Sequence, residues 1–189
     1  VWTGDQLVAA GRDGTVLHSS DGQTWESVPS MTTRHFGAIA WSGSSFAVAG
    51  SHGMVVTSDA AFHAVDTATI ASRELTTIAW TGARFVTCHM GVPSVMLGSC
   101  RSGTVGGGWE NSGTPHFWHL TRIGNTLAGI SRVPSDMPTQ SYVRISSDSG
   151  VTWESHHVPM PSPLVPYRLA WTGERLILVG DGGGILVSD

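Results

Sequence analysis

Residues 171–189 read W-T-G-E-R-L-I-L-V-G-D-G-G-G-I-L-V-S-D, and earlier parts of the chain carry the same pattern. Residues 2–20 read W-T-G-D-Q-L-V-A-A-G-R-D-G-T-V-L-H-S-S ahead of Asp21, and residues 41–59 read W-S-G-S-S-F-A-V-A-G-S-H-G-M-V-V-T-S-D. Trp80-Thr81-Gly82 opens a third copy, and a more worn one begins near Arg122-Ile123-Gly124. Trp2, Trp41 and Trp80 are spaced 39 residues apart. A period of that length marks stacked supersecondary units, each burying its apolar face against its neighbours.

Every copy has one grammar. A strand ending in Trp, such as Phe36–Trp41, is followed by a Thr/Ser-Gly turn. A second strand (Phe46–Ala49, Arg84–Cys88, Arg175–Val179) then runs into a glycine-rich turn, as at Gly11-Arg12-Asp13-Gly14. A third strand (Thr15–Ser19, Met54–Ser58, Tyr142–Ser146, Ile185–Ser188) ends at a Ser-Asp element. The fourth opens with Trp-Glu at Trp25, Trp109 and Trp153. Alternating β-branched and aromatic residues bounded by turn formers read as strands, and no copy shows helical periodicity. Four antiparallel strands in a unit of about 40 residues is a propeller blade. The expected architecture is an all-β single β-propeller of about five blades, with repeats at 1–33, 34–71, 72–114, 115–162 and 163–189. The first and last repeats are incomplete, which predicts a piece of a larger ring with open blade edges that invite self-association.

Variation falls in loops. His89-Met90-Gly91-Val92-Pro93 lengthens one, Arg101 to Gly108 reads as a glycine-rich turn, Ser131 to Gln140 is the largest insertion, and Pro159-Met160-Pro161-Ser162-Pro163 joins the last two repeats. Loops on a rigid scaffold are where function concentrates.

Composition closes several routes. The net charge is −4, from 14 acidic residues against ten basic ones, all of them Arg, and no basic run offers a nucleic-acid footprint. No apolar run reaches the length of a membrane span. Cys88 and Cys100 are too few for a disulfide framework, and placing Cys100 just past the end of the partner strand puts the pair out of register, which predicts two free thiols. His116 and His119 fall on opposite faces of a strand, as do His156 and His157, and no Cys/His spacing fits zinc, so no metal and no cofactor are expected.

Ser146-Ser147-Asp148-Ser149-Gly150-Val151-Thr152-Trp153 follows S-x-D-x-G-x-T-W, and Ser19-Ser20-Asp21-Gly22-Gln23-Thr24-Trp25 is one residue shorter. This motif resembles the Asp box of sialidase-like and photosystem II assembly factor-like bacterial propellers. Thr57-Ser58-Asp59-Ala60-Ala61-Phe62 reads as a degenerate box, Ser99-Cys100-Arg101-Ser102-Gly103 as one without its aspartate, and Ser188-Asp189 as one cut short. Chemically the box is structural: the aspartates Asp21 and Asp148 accept backbone N–H groups of their own turn, Gly22 and Gly150 give backbone freedom, Ser19, Ser146, Thr24 and Thr152 complete the turn, and Trp25 and Trp153 pack between blades. The resemblance implies that these turns lie on the face away from the ligand.

The opposite face gathers the turns between second and third strands and the connectors between blades. It holds Arg12, Asp13, Arg34, His35, His52, Arg73, Glu74, His89, His116, Tyr167, Arg168 and Asp181, around a central mouth of the kind that binds ligands. The resulting expectation is a non-catalytic, extracytoplasmic propeller that recognises a protein or a glycan through this face. The alternative is a fragment of a sialidase-like or other carbohydrate-active hydrolase. An exo-sialidase needs an arginine trio, a tyrosine activated by a glutamate, and an aspartic acid. Arg34, Arg73 and Arg168 with Tyr167, Glu74 and Asp13 are the candidates for those parts, although the Arg-Ile-Pro-type element of sialidases is absent.

Overall fold

The computed structural model describes residues 1–29, 32–89, 99–112, 117–132, 141–159 and 165–188. Five antiparallel sheets follow one another along the chain, each with its strands in sequence order. Blade 1 holds β1 (Leu7–Ala10), β2 (Val16–Ser19) and β3 (Glu26–Val28), and a bridge between Trp2 and Leu7 marks the end of its inner strand. Blade 2 holds β4 (Phe36–Trp41), β5 (Ser45–Gly50), β6 (Met54–Asp59) and β7 (Ala64–Thr69). Blade 3 holds β8 (Leu75–Trp80), β9 (Phe85–His89), β10 (Ser99–Gly103) and β11 (Trp109–Asn111). Blade 4 holds β12 (His119–Ile123), β13 (Thr126–Arg132), β14 (Ser141–Ser146) and β15 (Glu154–Val158). Blade 5 holds β16 (Pro166–Trp171), β17 (Leu176–Gly180) and β18 (Ile185–Val187). The inner strands β4, β8, β12 and β16 pack in series, with β1 against β4, as the blades of a β-propeller do.

The core sits between blades, as the repeat pattern requires. Blades 1 and 2 meet through Val8, Val16, Phe36, Phe46, Val48 and Val56. Blades 2 and 3 meet through Ala47, Ala49, Val55, Leu75 and Phe85. Blades 3 and 4 meet through Val86, Cys88, Phe117 and Leu127, and blades 4 and 5 through Ala128, Ile130, Leu169 and Leu178. Alternate residues of one strand therefore serve two different interfaces, which is why β5 (Phe46 to Ala49) is buried on both faces. The end blades keep apolar residues in water: Trp2 is 54% exposed and Ile185 is 65% exposed.

Two sequence expectations change in blade 3. Cys88 and Cys100 form a disulfide rather than two free thiols. The strand containing Cys100 starts at Ser99, opposite His89, so Cys100 falls directly across from Cys88 with their Cα atoms 4.1 Å apart. That is the close spacing of directly opposed strand residues. Similarly, Arg101-Ser102-Gly103 belong to β10, and the turn is only Thr104 to Gly108. Gly103 pairs with Phe85 as Ser58 pairs with Phe46 and Ser146 with Leu127. The matching stretch of this repeat is thus Gly103-Thr104-Val105-Gly106-Gly107-Gly108-Trp109, with Val105 where blade 4 has Asp148, and not Ser99–Gly103. Gly103 is required by the neighbouring ring, because a Cβ there would meet Trp109 at 2.6 Å.

The two intact Ser-Asp turns share their serine and amide contacts to the aspartate, but Trp25, expected to pack between blades, stays exposed in the end blade while Trp153 is packed. Ser146 Oγ donates to Asp148 Oδ1 at 2.8 Å and accepts Gly150 N–H at 2.8 Å, while the Val151 and Thr152 N–H groups reach the Asp148 carboxylate at 3.1 and 2.8 Å. Trp153 Nε1 donates to Gly150 O at 3.0 Å, and its ring lies on Phe117 with centroids 4.3 Å apart, inside the blade 3–4 core. Asp21 accepts from Gln23 N–H and Thr24 N–H at 2.8 Å each, and from Ser19 Oγ at 3.0 Å. The Thr152 hydroxyl and N–H lower the Asp148 pKa to about 2, and the Thr24 and Gln23 amides do the same for Asp21. In blade 2, Asp59 instead accepts Ala61 N–H and His63 N–H, and Ser58 Oγ is buried with no partner among the described residues.

Because the folded pKa of Asp148 lies below its ordinary 3.8, its stabilisation is present above that value and is lost as pH falls towards 2. Asp148→Ala should therefore cost about 1–2 kcal/mol at neutral pH through lost turn hydrogen bonds. Urea unfolding of both proteins at neutral pH and in acid should show that difference shrinking on acidification. A pH-independent difference would mean that the carboxylate charge contributes nothing.

Candidate binding mouth

The end of the blades opposite the Ser-Asp turns carries the β1–β2, β5–β6 and β17–β18 turns, which share one backbone form. Asp13, His52 and Gly182 occupy the left-handed region at φ 54°, 57° and 62°, and Gly14, Gly53 and Gly183 follow at 69°, 69° and 71°. These turns hold the connector of the adjoining blade: Gly11 O accepts Phe36 N–H at 2.9 Å, and Gly53 O accepts Ile70 N–H at 2.9 Å. Turn and connector thus meet through the backbone at these two places.

Several predicted residues come together. Asp13 N–H donates to His35 Nδ1 at 3.0 Å, and the Asp13 carboxylate lies 3.5 Å from the same nitrogen, so turn and connector meet between blades 1 and 2. Arg12 and Arg34 are exposed beside them. Arg73 and Glu74 precede β8, and Glu74 Oε1 lies 3.9 Å from the position of a Cβ added at Gly37. His52 is exposed at the tip of its turn, and His89 Nε2 is 2.9 Å from Ser99 Oγ. Tyr167 OH donates to Asp181 Oδ2 at 3.0 Å, and Arg168 Nη1 to Tyr167 O at 3.0 Å. The tyrosine hydroxyl thus meets an aspartate of its own blade. Asp181 Oδ1 is enclosed, with no partner among the described residues. His116 lies outside the described residues, as do Met90 to Pro93, residues 133–140, Met160 to Pro163 and Asp189.

A feature that alternation alone does not reveal organises this end. The register of β4 with β5 skips Gly37, that of β8 with β9 skips Thr76, and that of β16 with β17 skips Tyr167. In blade 4, Trp118 holds the same place: its N–H donates to Ile130 O, and Ile130 also pairs with His119. Each inner strand thus enters through a one-residue bulge, a device that turns a side chain out of the ladder. The bulged residues are Gly37, Thr76, Trp118 and Tyr167, and the last two are in ring contact, with centroids 6.2 Å apart and planes at 62°.

On two of these strands, the residue after the bulge ties one blade to the next. Thr77 Oγ1 accepts Leu120 N–H at 2.8 Å, and one blade further on His119 Nδ1 accepts Leu169 N–H at 3.2 Å. Burial, and to a smaller degree the Arg168 charge, lowers the His119 pKa to about 4. Its ring is neutral in ordinary buffers, with the proton on Nε2 because Nδ1 accepts. His119 is an inter-blade peg. Trp118 was not among the sequence candidates, because strict alternation treats it simply as the outward neighbour of buried Phe117.

No known family profile matches the chain, and no curated protein matches it. Solved structures do match. A chain of the "Crystal Structure of Mitotic Checkpoint Complex" superposes with a TM-score of 0.71 at 15% identity, over 98% of this chain and 61% of that one. The computationally designed Ika8 protein gives 0.67 at 13% identity, over 99% of this chain and 56% of that one. The designed Ika4 protein gives 0.59 at 11% identity, over 81% and 89%. At these identities the likeness is one of fold. The chain spans about 60% of the length of the first two chains that it matches.

Proposed function

We propose that this chain is an Asp-box propeller that serves as a non-catalytic binding module, taking a protein or glycan ligand at the mouth formed by its turn-and-connector face. The observation that carries the reading is the set of four bulges, which bring Gly37, Thr76, Trp118 and Tyr167 to the entrance of the inner strands beside Arg34, Arg73, Glu74 and Arg168. Aromatic surface with a few polar groups around it is the usual make-up of a ligand site. The paired hydrogen-bond patterns of Asp21 and Asp148 support the Asp-box assignment. A disulfide buried between strands supports an extracytoplasmic location, where such bonds persist.

The alternative, a carbohydrate-active hydrolase of exo-sialidase type, casts Tyr167 as nucleophile with Glu74 as its activator and Asp13 as acid. The Tyr167–Asp181 hydrogen bond favours a positioned binding tyrosine over that assignment. A panel of fluorogenic glycosides that includes a sialoside separates the readings. We expect no turnover by the parent protein. Turnover that disappears in Glu74→Gln would replace the binding module with the hydrolase.

A further inference from the structure

Resting on that reading of the mouth, we propose that Trp118 and Tyr167 form a subsite that stacks a pyranose ring, so that the ligand is a glycan. Three observations lead there. First, the two rings stand on adjoining inner strands, at bulges, with Tyr167 41% exposed and Trp118 half-buried. The two rings meet edge to face, so neither stacks its face on the other. Second, the equivalent positions on β4 and β8 are Gly37 and Thr76. A Cβ at Gly37 would approach Leu75 O to 3.0 Å, so that position suits glycine, and of the four bulged positions only those of blades 4 and 5 carry aromatic rings. Third, the surroundings are polar. Arg168 lies beside Tyr167, and Arg34, Arg73 and Glu74 are exposed on neighbouring blades.

A protein anchor residue is recognised by a dry apolar pocket. A sugar ring offers an apolar C–H face with a rim of hydroxyls, and it matches an aromatic wall bordered by charged donors and acceptors. Asp181 has a positioning role in this site: it accepts the Tyr167 hydroxyl and fixes that ring, and its other oxygen is enclosed and cannot reach a ligand.

Cellotetraose, chitotetraose and sialyllactose, titrated by calorimetry and by tryptophan fluorescence, test the proposal. At least one should bind and perturb tryptophan emission. Trp118→Ala should weaken it at least tenfold, while Trp118→Phe should stay within about threefold, since a smaller aromatic face still stacks. Tyr167→Ala, at an exposed site, should also weaken binding and guards against a Trp118 variant that fails to fold. Sugar binding that survives Trp118→Ala and Tyr167→Ala but falls with Arg34→Ala or Arg73→Ala would overturn the subsite and leave the mouth as a ligand site. Binding untouched by all four changes would overturn both. Failure of all three sugars would overturn the sugar subsite alone, leaving the mouth to a protein ligand.

Discussion

Gly53→Ala should leave the chain unfolded, or melting far below the parent, whereas Gly183→Ala should cost only about 1–2 kcal/mol. The two glycines hold the same place in equivalent turns, at φ +69° and +71°, so both changes force a side chain into left-handed backbone. They differ in what stands beside them. A Cβ at Gly53 would lie 1.9 Å from Ala71 O, in the connector that leads to blade 3, while no atom of the described residues lies within 4 Å of one at Gly183. Relief at Gly53 requires moving backbone that is held by the Gly53 O to Ile70 N–H hydrogen bond, which feeds directly into β8. Overpacking against backbone, added to the φ cost, should total about 3–5 kcal/mol, a large share of the stability of a domain this size. Thermal and urea unfolding of the two variants measure the contrast. Equal losses would show that the turn's own conformation dominates and that inter-blade contact adds nothing.

That contrast also shows how much the sequence could reveal. The repeat dictated the blades because its strands carry β-branched and aromatic residues between turns in which glycine takes left-handed backbone, as at Gly53 and Gly150. Strand limits at β4 and in the third strands were readable for this reason. The disulfide was not, since register across a long connection depends on where pairing resumes after residue 98, and local sequence does not encode that. The turn at Thr104 to Gly108 was obscured in the same way: Ser99–Gly103 imitates the serine–glycine spacing of a box while its backbone is strand. At the mouth, the polar residues were visible because they flank turn formers. Trp118 was hidden because a bulge breaks alternation without any special residue to announce it, its occupants being Gly, Thr, Trp and Tyr.

Breaking the Cys88–Cys100 bond should have the second-largest effect, and it tests whether blade 3 depends on a covalent tie that other blades lack. The two cysteines are fully buried in the core shared by blades 3 and 4, among Ala79, Val86, Phe117 and Leu127. Their bond closes a loop with a sequence separation of 12. For closure of a loop of that size, the denatured chain loses freedom equivalent to about 3 kcal/mol. Because Cys88 and Cys100 are directly paired, the bond also selects one pairing of β9 with β10 over its slipped alternatives, in which the β10 side chains would change faces. The Cys88→Ala/Cys100→Ala double variant should lose about 2–4 kcal/mol, with part of the loss coming from the space vacated by sulfur in a close-packed core. Cys88→Ser/Cys100→Ser should lose more, because two buried hydroxyls in that apolar cluster need partners. Urea unfolding of the oxidised parent, the reduced parent and the alanine pair separates the contributions. If reduction alone leaves the midpoint unchanged, the bond does not constrain the unfolded chain, and blade 3 is held by its apolar faces as blades 2 and 4 are.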